Sequence, residues 1–547
     1  MNTGRGRPTR VGEHRAVRRT VVIGGGIAGL ATAALLAREG HSVTLLEASS
    51  TLGGRVGTWS SGGFSFDTGP SWYLMPEVFE HFYRMLGTDA RSELDLVDLD
   101  PGYRVYYEGQ RHPVDVPRGR ERVRELFEGL EAGSGPALDA YLDSAADAYD
   151  LALRRFLYTS FESKRSLLSA DLLARASRLA RLSLRSLDEH AARSFADPRL
   201  RQLLGYPAVF LGSSPSMTPA LYHLMSHLDL DAGVLYPRGG FRSIIDGLVR
   251  LAESAGVTIV RGATVSRILT RDDGSLDRRR RAAVTGVLYR RGEVVRVLPA
   301  DVVVSTADLH HTETALLPEH LQTYPESWWR HRVAGPGAVL LMAGVRGRLP
   351  QLAHHTLFFT REWEANFRAI FREPTRVPDP ASIYVCRPSA TDDSVAPAGH
   401  ENLFVLVPVP ADPSIGVGGI DGAGSAAVEG AAEAAIAQVA TWAGIPDLAD
   451  RIVVRRTLGP GDFERDLHSW RGTALGPAHT LRQSAFLRGE NASKRVGGLY
   501  YAGGSTLPGI GLPMCLISAE LVLKRLRGDR GTAPSVEPTP AAEVVHG

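Results

Sequence analysis

The sequence predicts an α/β protein organised around a Rossmann-like nucleotide-binding unit. A β-branched run at residues 20–23 stops at a glycine-rich turn, and residues 30–38 then carry helix formers with apolar spacing. A second apolar run at residues 42–46 ends in Glu47. The order strand, tight turn, helix, strand is typical of a dinucleotide-binding βαβ unit, and it sets the fold class.

The glycine turn carries the chemistry of this unit. Gly24, Gly26 and Gly29 let the backbone approach a pyrophosphate, and the following helix offers free N–H groups and the positive end of its dipole. Glu47 stands 23 positions after Gly24, where a carboxylate accepts ribose hydroxyls. We therefore predict that these four residues bind a dinucleotide.

A second glycine pair follows the acid. Gly53 and Gly54 come shortly after Glu47, and Arg55 closes the pair. This extension resembles the FAD-binding segment of the amine oxidase and carotenoid desaturase flavoproteins, and it differs from an NAD-binding domain. The resemblance implies that the nucleotide is FAD, with Gly54 and Arg55 beside its phosphates.

Length and composition limit the possible domain organisation, partners and cysteine chemistry. At 547 residues the chain exceeds what one hydrophobic core usually organises, which predicts two domains. The formal net charge of +2 argues against nucleic acid as a partner. The two cysteines, Cys386 and Cys515, lie far apart without CxxC spacing, so we expect neither a disulfide framework nor a cysteine metal site. A reducing cytoplasm fits this cysteine usage.

The chain after the nucleotide unit alternates between strand and helix patterns. Residues 103–107 and 114–116 form a predicted hairpin, and residues 416–424 form a predicted flexible loop. From residue 237 the α/β pattern returns. The predicted elements are helix 241–254, strands 257–260, 263–269 and 301–306, core strands 338–345 and 403–407, and helix 431–443.

Residues 169–185 form a predicted helix with two distinct faces. Leucines fall on one side, and four arginines gather on the other side, namely Arg175, Arg178, Arg181 and Arg185. Two interpretations stay open. Either the helix packs on its own domain with a solvated basic face, or it lies on a membrane surface where its arginines meet anionic headgroups.

The C-terminal region contains a second strand-turn-helix unit. Residues 498–506 have the pattern of a strand followed by a glycine turn, and residues 507–514 open a final helix that runs to about Leu526. The N-terminus of this helix can face the pyrimidine end of a flavin, where the positive dipole end stabilises negative charge that develops on reduction. Gly504 and Met514 are predicted to border the isoalloxazine ring.

With these motifs the chain resembles the bacterial phytoene desaturases of the CrtI type. The C-terminal unit carries the resemblance together with residues 66–76, 99–105, 206–212 and 236–241. It implies a glutathione-reductase-like FAD-binding domain of the GR2 type, a discontinuous α+β substrate domain and a helical part that contacts the membrane. By this resemblance, Val265 lies in a strand that offers backbone contacts to the adenine side.

The implied domains are discontinuous along the chain. They are a disordered basic tail at 1–19, an FAD-binding domain at 20–77, 237–308 and 458–527, a substrate and membrane-associating domain at 78–236 and 309–457, and a disordered tail at 528–547. The first tail is rich in arginine and lacks apolar periodicity, and the second has several prolines and little apolar content, which is why we expect both to be disordered.

The resemblance implies FAD-dependent desaturation of phytoene toward lycopene. Each step removes a hydride and a proton from adjacent carbons, and oxygen or a quinone finally takes the electrons. Since the polyene is drawn from the membrane, the protein is expected in the cytoplasm, peripherally on the inner face of the cell membrane. The alternatives are a desaturase of another carotenoid, an amine or porphyrinogen oxidase, and a non-redox prenyl-lipid escort, against which the intact glycines argue.

Two groups of polar residues are candidates for further chemistry. Asp197 and Arg201 resemble a family segment that places an acid and an arginine near the substrate, and a helix would bring side chains at this spacing together. A surface ion pair or a helix cap is the alternative for this catalytic pair. The second group contains two histidines four positions apart and two acids, namely His223, His227, Asp229 and Asp231. The two histidines could be metal ligands, but the sequence does not place a third ligand beside them. We therefore expect structural roles for these residues and no metal.

Overall fold

The computed structural model describes residues 17–162, 175–272 and 281–538. Its β-strands are β1 (Arg19–Ile23), β2 (Ser42–Glu47), β3 (Thr58–Ser61), β4 (Phe64–Asp67), β5 (Leu96–Asp98), β6 (Tyr103–Tyr107), β7 (Val114–Val116), β8 (Leu235–Pro237), β9 (Thr258–Arg261), β10 (Ala263–Asp272), β11 (Ala282–Arg291), β12 (Val294–Pro299), β13 (Val302–Ser305), β14 (Gly337–Arg346), β15 (His355–Phe359), β16 (Ile383–Cys386), β17 (His400–Val409), β18 (Ile452–Leu458), β19 (Val496–Gly497) and β20 (Leu499–Tyr501).

The α-helices are numbered in the same way. They are α1 (Ile27–Arg38), α2 (Pro76–Met85), α3 (Ala90–Glu93), α4 (Arg120–Leu130), α5 (Gly135–Ala152), α6 (Ala176–Leu184), α7 (Leu187–Ser194), α8 (Pro198–Gly205), α9 (Leu224–Ser226), α10 (Arg242–Ser254), α11 (Leu309–Ala315), α12 (Glu326–Trp329), α13 (Trp363–Phe371), α14 (Ala426–Ala443), α15 (Pro460–Leu467) and α16 (Leu512–Arg527). A 3-10 segment, Tyr206–Leu211, continues α8.

A parallel five-stranded sheet lies at the centre of the first unit, with the strand order β20-β13-β1-β2-β9. Val22 and Leu45 on neighbouring strands are fully buried, as expected for parallel strands that are covered on both faces. Helix α1 packs against α10 and α16, and most of its length is buried. This arrangement confirms the predicted α/β class with a Rossmann-like unit.

The other face of the parallel sheet is covered by an antiparallel sheet of β10, β11 and β12, with β19 beside β11. Val21, Ile23 and Leu46 of the parallel sheet share a hydrophobic cluster with Val265 and Val287 of the antiparallel sheet. The parallel strands are therefore closed off from water on both faces, which is why their sequences are continuous apolar runs.

A mixed seven-stranded sheet forms the second unit, in the order β18-β14-β17-β16-β15-β6-β7. Helix α14 packs through Val428 and Ala432 on one face of this sheet. The helices α4, α5 and α8 contribute to the cluster on the other face, through residues such as Phe127, Leu138 and Leu203. The predicted hairpin corresponds to β6 and β7, and the predicted core strands correspond to β14 and β17, so these predictions are confirmed.

The predicted boundary at residue 78 falls inside helix α2. Val78, Phe79 and Phe82 belong to the hydrophobic cluster that also contains residues of α1 and α16. The division into two domains stays a prediction, and this packing places α2 with the first unit.

The predicted helix at 169–185 is seen in part as α6, while residues 169–174 lie outside the described residues. The two terminal guanidinium nitrogens of Arg178 donate to the Asp147 carboxylate of α5 at 2.5 Å and to the Ser144 carbonyl oxygen at 3.0 Å. Leu182 is buried, whereas Leu184 is 80% exposed. Part of the basic face is therefore turned toward α5. Within the described ranges, no helix is long and apolar enough to cross a bilayer.

The predicted flexible loop at 416–424 is tied down by hydrogen bonds. The amide of Gly418 donates to Asp462 at 2.6 Å, and the amide of Gly419 donates to the Thr457 hydroxyl at 2.9 Å. A Cβ atom on Gly418 would lie 2.0 Å from the carbonyl oxygen of Thr457. Gly418 permits this close approach of two backbone segments, so the predicted flexibility of the loop is wrong.

The chain after α16 also differs from the prediction of a disordered tail from residue 528. The Lys524 ammonium group donates to the carbonyl oxygens of Gly531 and Ala533 at 2.8 and 2.6 Å. The amide of Ser535 donates to Glu520 at 2.6 Å, and Glu537 pairs with His81 at 2.9 Å. This part of the tail packs on α16 and α2 because it satisfies buried polar groups of both helices.

Candidate functional site

The glycine turn between β1 and α1 has the geometry that the sequence predicts. Gly24 has φ +101°, and its amide donates to the carbonyl oxygen of Leu46 at 2.8 Å. A Cβ atom on Gly29 would lie 1.9 Å from the carbonyl oxygen of Gly24, so only glycine lets α1 begin this close to the turn. Gly26 is the N-cap of α1 and offers no capping side chain. The first N–H groups of α1 are thus suited to an anionic ligand.

The carboxylate of Glu47 is held at the edge of this turn. One oxygen accepts a hydrogen bond from the amide of Gly25 at 2.6 Å, and the other accepts from the amide of Ser49 at 2.7 Å. Glu47 is thus fixed at the carboxyl end of β2, beside the switch of strand order where α/β sheets bind nucleotides. Val265 lies in β10 opposite Tyr289, and its contact to adenine stays a prediction.

The second glycine pair lies against the first turn. Gly53 and Gly26 form a bridge, and Gly54 has φ +57°. Arg55 reaches away from this pair, because its guanidinium donates to the Ala474 carbonyl oxygen at 3.0 Å and to the Ser469 hydroxyl at 2.5 Å. Its predicted position beside the phosphates stays a prediction.

The C-terminal glycine turn closes the same site from the other side. Gly503 has φ +115°, and a Cβ atom on it would lie 3.6 Å from the Cβ atom of Ala28 in the first turn of α1. Gly504 follows in the turn, and Met514 is half-buried in the first turn of α16. The N-termini of α1 and α16 therefore both face one cradle that is lined by glycines. Side chains at these positions would fill the space inside the cradle. This donor set fits FAD.

A buried cation lies beneath the C-terminal turn, and the sequence reasoning missed it. Arg488 is 4% exposed and donates to the carbonyl oxygens of Gly504, Thr506 and Pro477. Burial lowers the pKa of Arg488 to about 10, which leaves it charged at neutral pH. Among the described residues it forms no ion pair with a carboxylate, so its charge favours an anionic group at the turn. Only its position shortly before the glycine turn could have signalled it.

An aromatic cluster adjoins the C-terminal turn. The ring of Trp72 stacks on His355 at 4.4 Å between centroids and lies 5.5 Å from Tyr103 and 5.3 Å from Phe210. The chain leaves this cluster through Gly212, where a Cβ atom would lie 3.0 Å from the Ile510 side chain. We call Trp72, Tyr103, Tyr206, Phe210 and His355 the aromatic cluster. Tyr103 and His355 belong to the seven-stranded sheet, and Trp72 also packs against the hydrophobic cluster that contains residues of α1 and α16.

One carboxyl group is buried within this cluster. Asp229 is 6% exposed, and its Oδ2 atom accepts hydrogen bonds from the hydroxyls of Tyr103 at 3.0 Å and Tyr206 at 2.7 Å. Its Oδ1 atom has no hydrogen-bond partner among the described residues. Burial raises the pKa of Asp229 to about 7, against the opposing effect of the two hydroxyls. A carboxyl group of this kind can accept a proton near neutral pH.

The predicted pair of Asp197 and Arg201 is not formed. Asp197 caps α8 by accepting from the amide of Arg199 at 2.7 Å, and it pairs with the Arg199 guanidinium at 2.6 Å. Arg201 donates instead to the carbonyl oxygen of Phe195 at 2.8 Å. Burial would raise the pKa of Asp197, but the hydrogen bonds from Arg199 hold it below its ordinary value. The helix begins after Asp197, whose extended backbone turns the side chain back on the first turn.

The histidine and aspartate group is divided among separate partners. His223 bonds to the Ser144 hydroxyl at 2.8 Å, and His227 bonds to Asp231 at 3.0 Å. Asp229 turns to the two tyrosines instead. The four side chains therefore do not converge on one point.

Comparison with known proteins extends these observations. Residues 27–522 match the family described as flavin containing amine oxidoreductase. The chain is 42% identical over 508 residues to the carotenoid 3,4-desaturase of Haloarcula japonica, which covers 93% of this chain and 98% of that protein. It is 36% identical over 513 residues to the zeta-carotene-forming phytoene desaturase of Myxococcus xanthus, with 93% and 94% covered.

Solved structures show the same fold at low sequence identity. A putrescine oxidase aligns with a TM-score of 0.58 at 15% identity, over 93% of this chain and 99% of that chain. The cyclohexylamine oxidase of Brevibacterium oxydans aligns with a TM-score of 0.54 at 14% identity, over 93% and 100%. The glycine cradle and the matched flavin family agree on FAD as the cofactor. The chain is therefore an FAD-dependent oxidoreductase that belongs to the flavin containing amine oxidoreductase family, among its CrtI-type carotenoid desaturases.

Proposed function

We propose that this protein desaturates an acyclic carotenoid, with phytoene converted toward lycopene as the first candidate reaction. The observation that carries the proposal is the aromatic cluster with a buried carboxyl group beside the cofactor cradle. A polyene offers no polar group for recognition, so an apolar and aromatic surface is what its site requires. Bound FAD supplies the hydride acceptor for such a reaction.

Residues of the chain provide the proton acceptor and the electrostatic stabilisation that the reaction also needs. Asp229 takes the proton, because its Oδ1 atom has no hydrogen-bond partner in the part of the chain that the structure describes and burial raises its pKa to about 7. Tyr103 and Tyr206 hold this carboxyl group in place. Arg488 and the N-terminus of α16 would stabilise the negative charge of a reduced flavin held at this turn. Asp229 thus takes over the role that the sequence assigned to Asp197 and Arg201.

A second candidate reaction is 3,4-desaturation of a carotenoid that is already conjugated. The reason to keep it is the identity of 42% to the Haloarcula japonica protein, compared with 36% to the Myxococcus xanthus protein. The two reactions differ in where the polyene sits. The two reactions act at different positions along the polyene, so a different part of it must reach the cofactor in each.

Anaerobic incubation of the FAD-loaded protein with vesicles containing phytoene or lycopene tests the proposal. We expect bleaching of the flavin absorbance together with longer-wavelength polyene bands, and the substrate that gives both identifies the reaction. Re-oxidation by added oxygen or quinone then identifies the electron acceptor. If neither polyene bleaches the flavin but an amine or a porphyrinogen does, the carotenoid assignment is wrong. A purified protein that takes up no FAD would favour a lipid escort.

We also propose that the polyene enters from a membrane surface, through a loop at residues 481–487. Leu481, Phe486 and Leu487 in this loop are 46%, 56% and 42% exposed. Phe161 lies 6.1 Å from Phe486 between ring centroids. The loop precedes Arg488, which contacts the cofactor turn, so a substrate that leaves lipid here has a short way to the site. Exposed aromatic and aliphatic side chains of this kind enter the boundary of a bilayer.

A further inference from the structure

Three buried side chains with metal-binding atoms meet beneath Trp72. His354, His355 and Cys386 are 5%, 0% and 1% exposed, and one ligand atom from each lies within 4.8 Å of the others. Pairing of β15 with β16 sets His355 directly opposite Cys386, and His354 immediately precedes β15. No other group of three such residues is found in the part of the chain that the structure describes.

Each of the two imidazoles has one nitrogen in a hydrogen bond and one without a partner among the described residues. The Nδ1 atom of His354 bonds to the Thr391 hydroxyl at 2.8 Å, and the Nδ1 atom of His355 bonds to the Tyr384 hydroxyl at 2.7 Å. The Nε2 atoms of both rings are buried and lack a partner among the described residues. Buried polar atoms nearly always have a partner, and metal-binding histidines typically use their second nitrogen for such an orienting bond.

The electrostatic setting is compatible with a cation. Both imidazoles are buried, and a buried ring without a carboxylate partner favours the neutral form that binds a metal. The carboxyl group of Asp67 lies close enough to act electrostatically on the buried Cys386 thiol. A bound divalent cation would displace the thiol proton into solvent, and one thiolate would leave a single net positive charge for Asp67 to oppose.

We propose that His354, His355 and Cys386 form a structural binding site for a zinc-type divalent cation. Two imidazoles and one thiolate are a ligand set that zinc accepts, with a fourth position left for a water molecule or a hydroxyl. The site links β15, the residue before it and β16 directly under the ring of Trp72. It runs against the expectation from cysteine spacing, because strand pairing brings together ligands that the sequence keeps 31 residues apart. The proposed metal site does not depend on which carotenoid the protein desaturates.

The test uses the full chain with Cys515 replaced by serine. The Cys515→Ser protein retains Cys386 as its single thiol. Titration with Co²⁺ is expected to produce a thiolate-to-cobalt charge-transfer band that saturates at one cobalt per chain, and Zn²⁺ should remove it by competition. In the same background, His355→Gln should weaken zinc binding at least about tenfold, measured against a chromophoric chelator. His223→Gln is the matched control, since His223 is a buried histidine outside the group, and it should leave the zinc affinity unchanged.

The cobalt spectrum keeps the test decisive even if a histidine variant folds poorly, since it is read on a protein with all three ligands present. Saturable binding at one cobalt per chain with the charge-transfer band supports the site. Absence of the band at millimolar Co²⁺, or cobalt binding that His223→Gln weakens as much as His355→Gln, would overturn it.

Discussion

The carboxyl group of Asp229 is the residue on which the proposed chemistry depends most directly. Replacing it with asparagine keeps the size of the side chain and a hydrogen-bond acceptor for Tyr103 and Tyr206, but removes the proton acceptor. We expect Asp229→Asn to slow anaerobic flavin reduction by the polyene about 100-fold or more, with FAD binding retained. The matched control is Asp197→Asn, which keeps a capping oxygen but loses the ion pair with Arg199, and it should affect stability more than the rate. Equal rates in Asp229→Asn and the parent protein would refute the assignment.

The same carboxyl group predicts a pH dependence. Its pKa is raised to about 7, so the proton-accepting form is present above that pH and is lost below it. The rate of flavin reduction should therefore rise with pH through a limb near 7. Removing a hydroxyl that favours the charged form raises the pKa further, so Tyr206→Phe should move this limb to higher pH. A pH-rate profile that does not move in Tyr206→Phe would contradict this account.

Glu47 is the residue that tests the cofactor cradle. Glutamine at this position removes the charge and one of the two acceptors that hold Gly25 and Ser49. We expect Glu47→Gln to raise the dissociation constant of FAD about tenfold, which corresponds to about 1.4 kcal/mol. Fluorescence titration of the apoprotein with FAD measures this change. Glu253→Gln, at an exposed position on α10, serves as the control and should bind FAD like the parent.

Individual site residues were predictable where their partners are near in sequence. Gly24, Gly29 and Glu47 belong to one βαβ unit, so spacing alone places them together. Asp229 depends on tyrosines at positions 103 and 206, and the opposition of His355 to Cys386 depends on strand register. No local pattern encodes such contacts. The failure at Asp197 has a different cause, because the spacing of four residues brings side chains together only when both lie inside a helix.

At the scale of elements, glycine has different roles in α14 and in the loop before it. Gly418 lies against the Thr457 backbone, whereas Gly430 in α14 has open space around its Cα atom. Gly418→Ala should lower the thermal midpoint of the protein, since overpacking costs about 1–3 kcal/mol. Gly430→Ala should raise it, since alanine is favoured over glycine in a helix by about 0.5–1 kcal/mol. Calorimetry on the FAD-loaded chain compares the two, and shifts of the same sign would contradict this interpretation.

At the scale of the whole molecule, the exposed loop at 481–487 predicts how the protein meets lipid. The double variant Phe486→Ser and Leu487→Ser should reduce partitioning onto vesicles at least about tenfold, because two large apolar side chains no longer enter the bilayer boundary. Co-sedimentation with vesicles measures the effect. Val297→Ser is the control, since Val297 is 59% exposed on β12, well separated in sequence from the loop. If Val297→Ser reduces partitioning equally, the loop is not the contact surface.

The parallel sheet described above is assembled from distant parts of the chain, and this sets the order of events during synthesis. Strand β1 receives its neighbour β13 only after residue 302 has been made, and β13 receives β20 only after residue 499. A nascent chain therefore carries the complete N-terminal glycine motif long before it can hold a flavin. The cofactor can be loaded only at the end of translation, and a chain stopped before residue 499 should purify colourless although its first nucleotide-binding motif is intact.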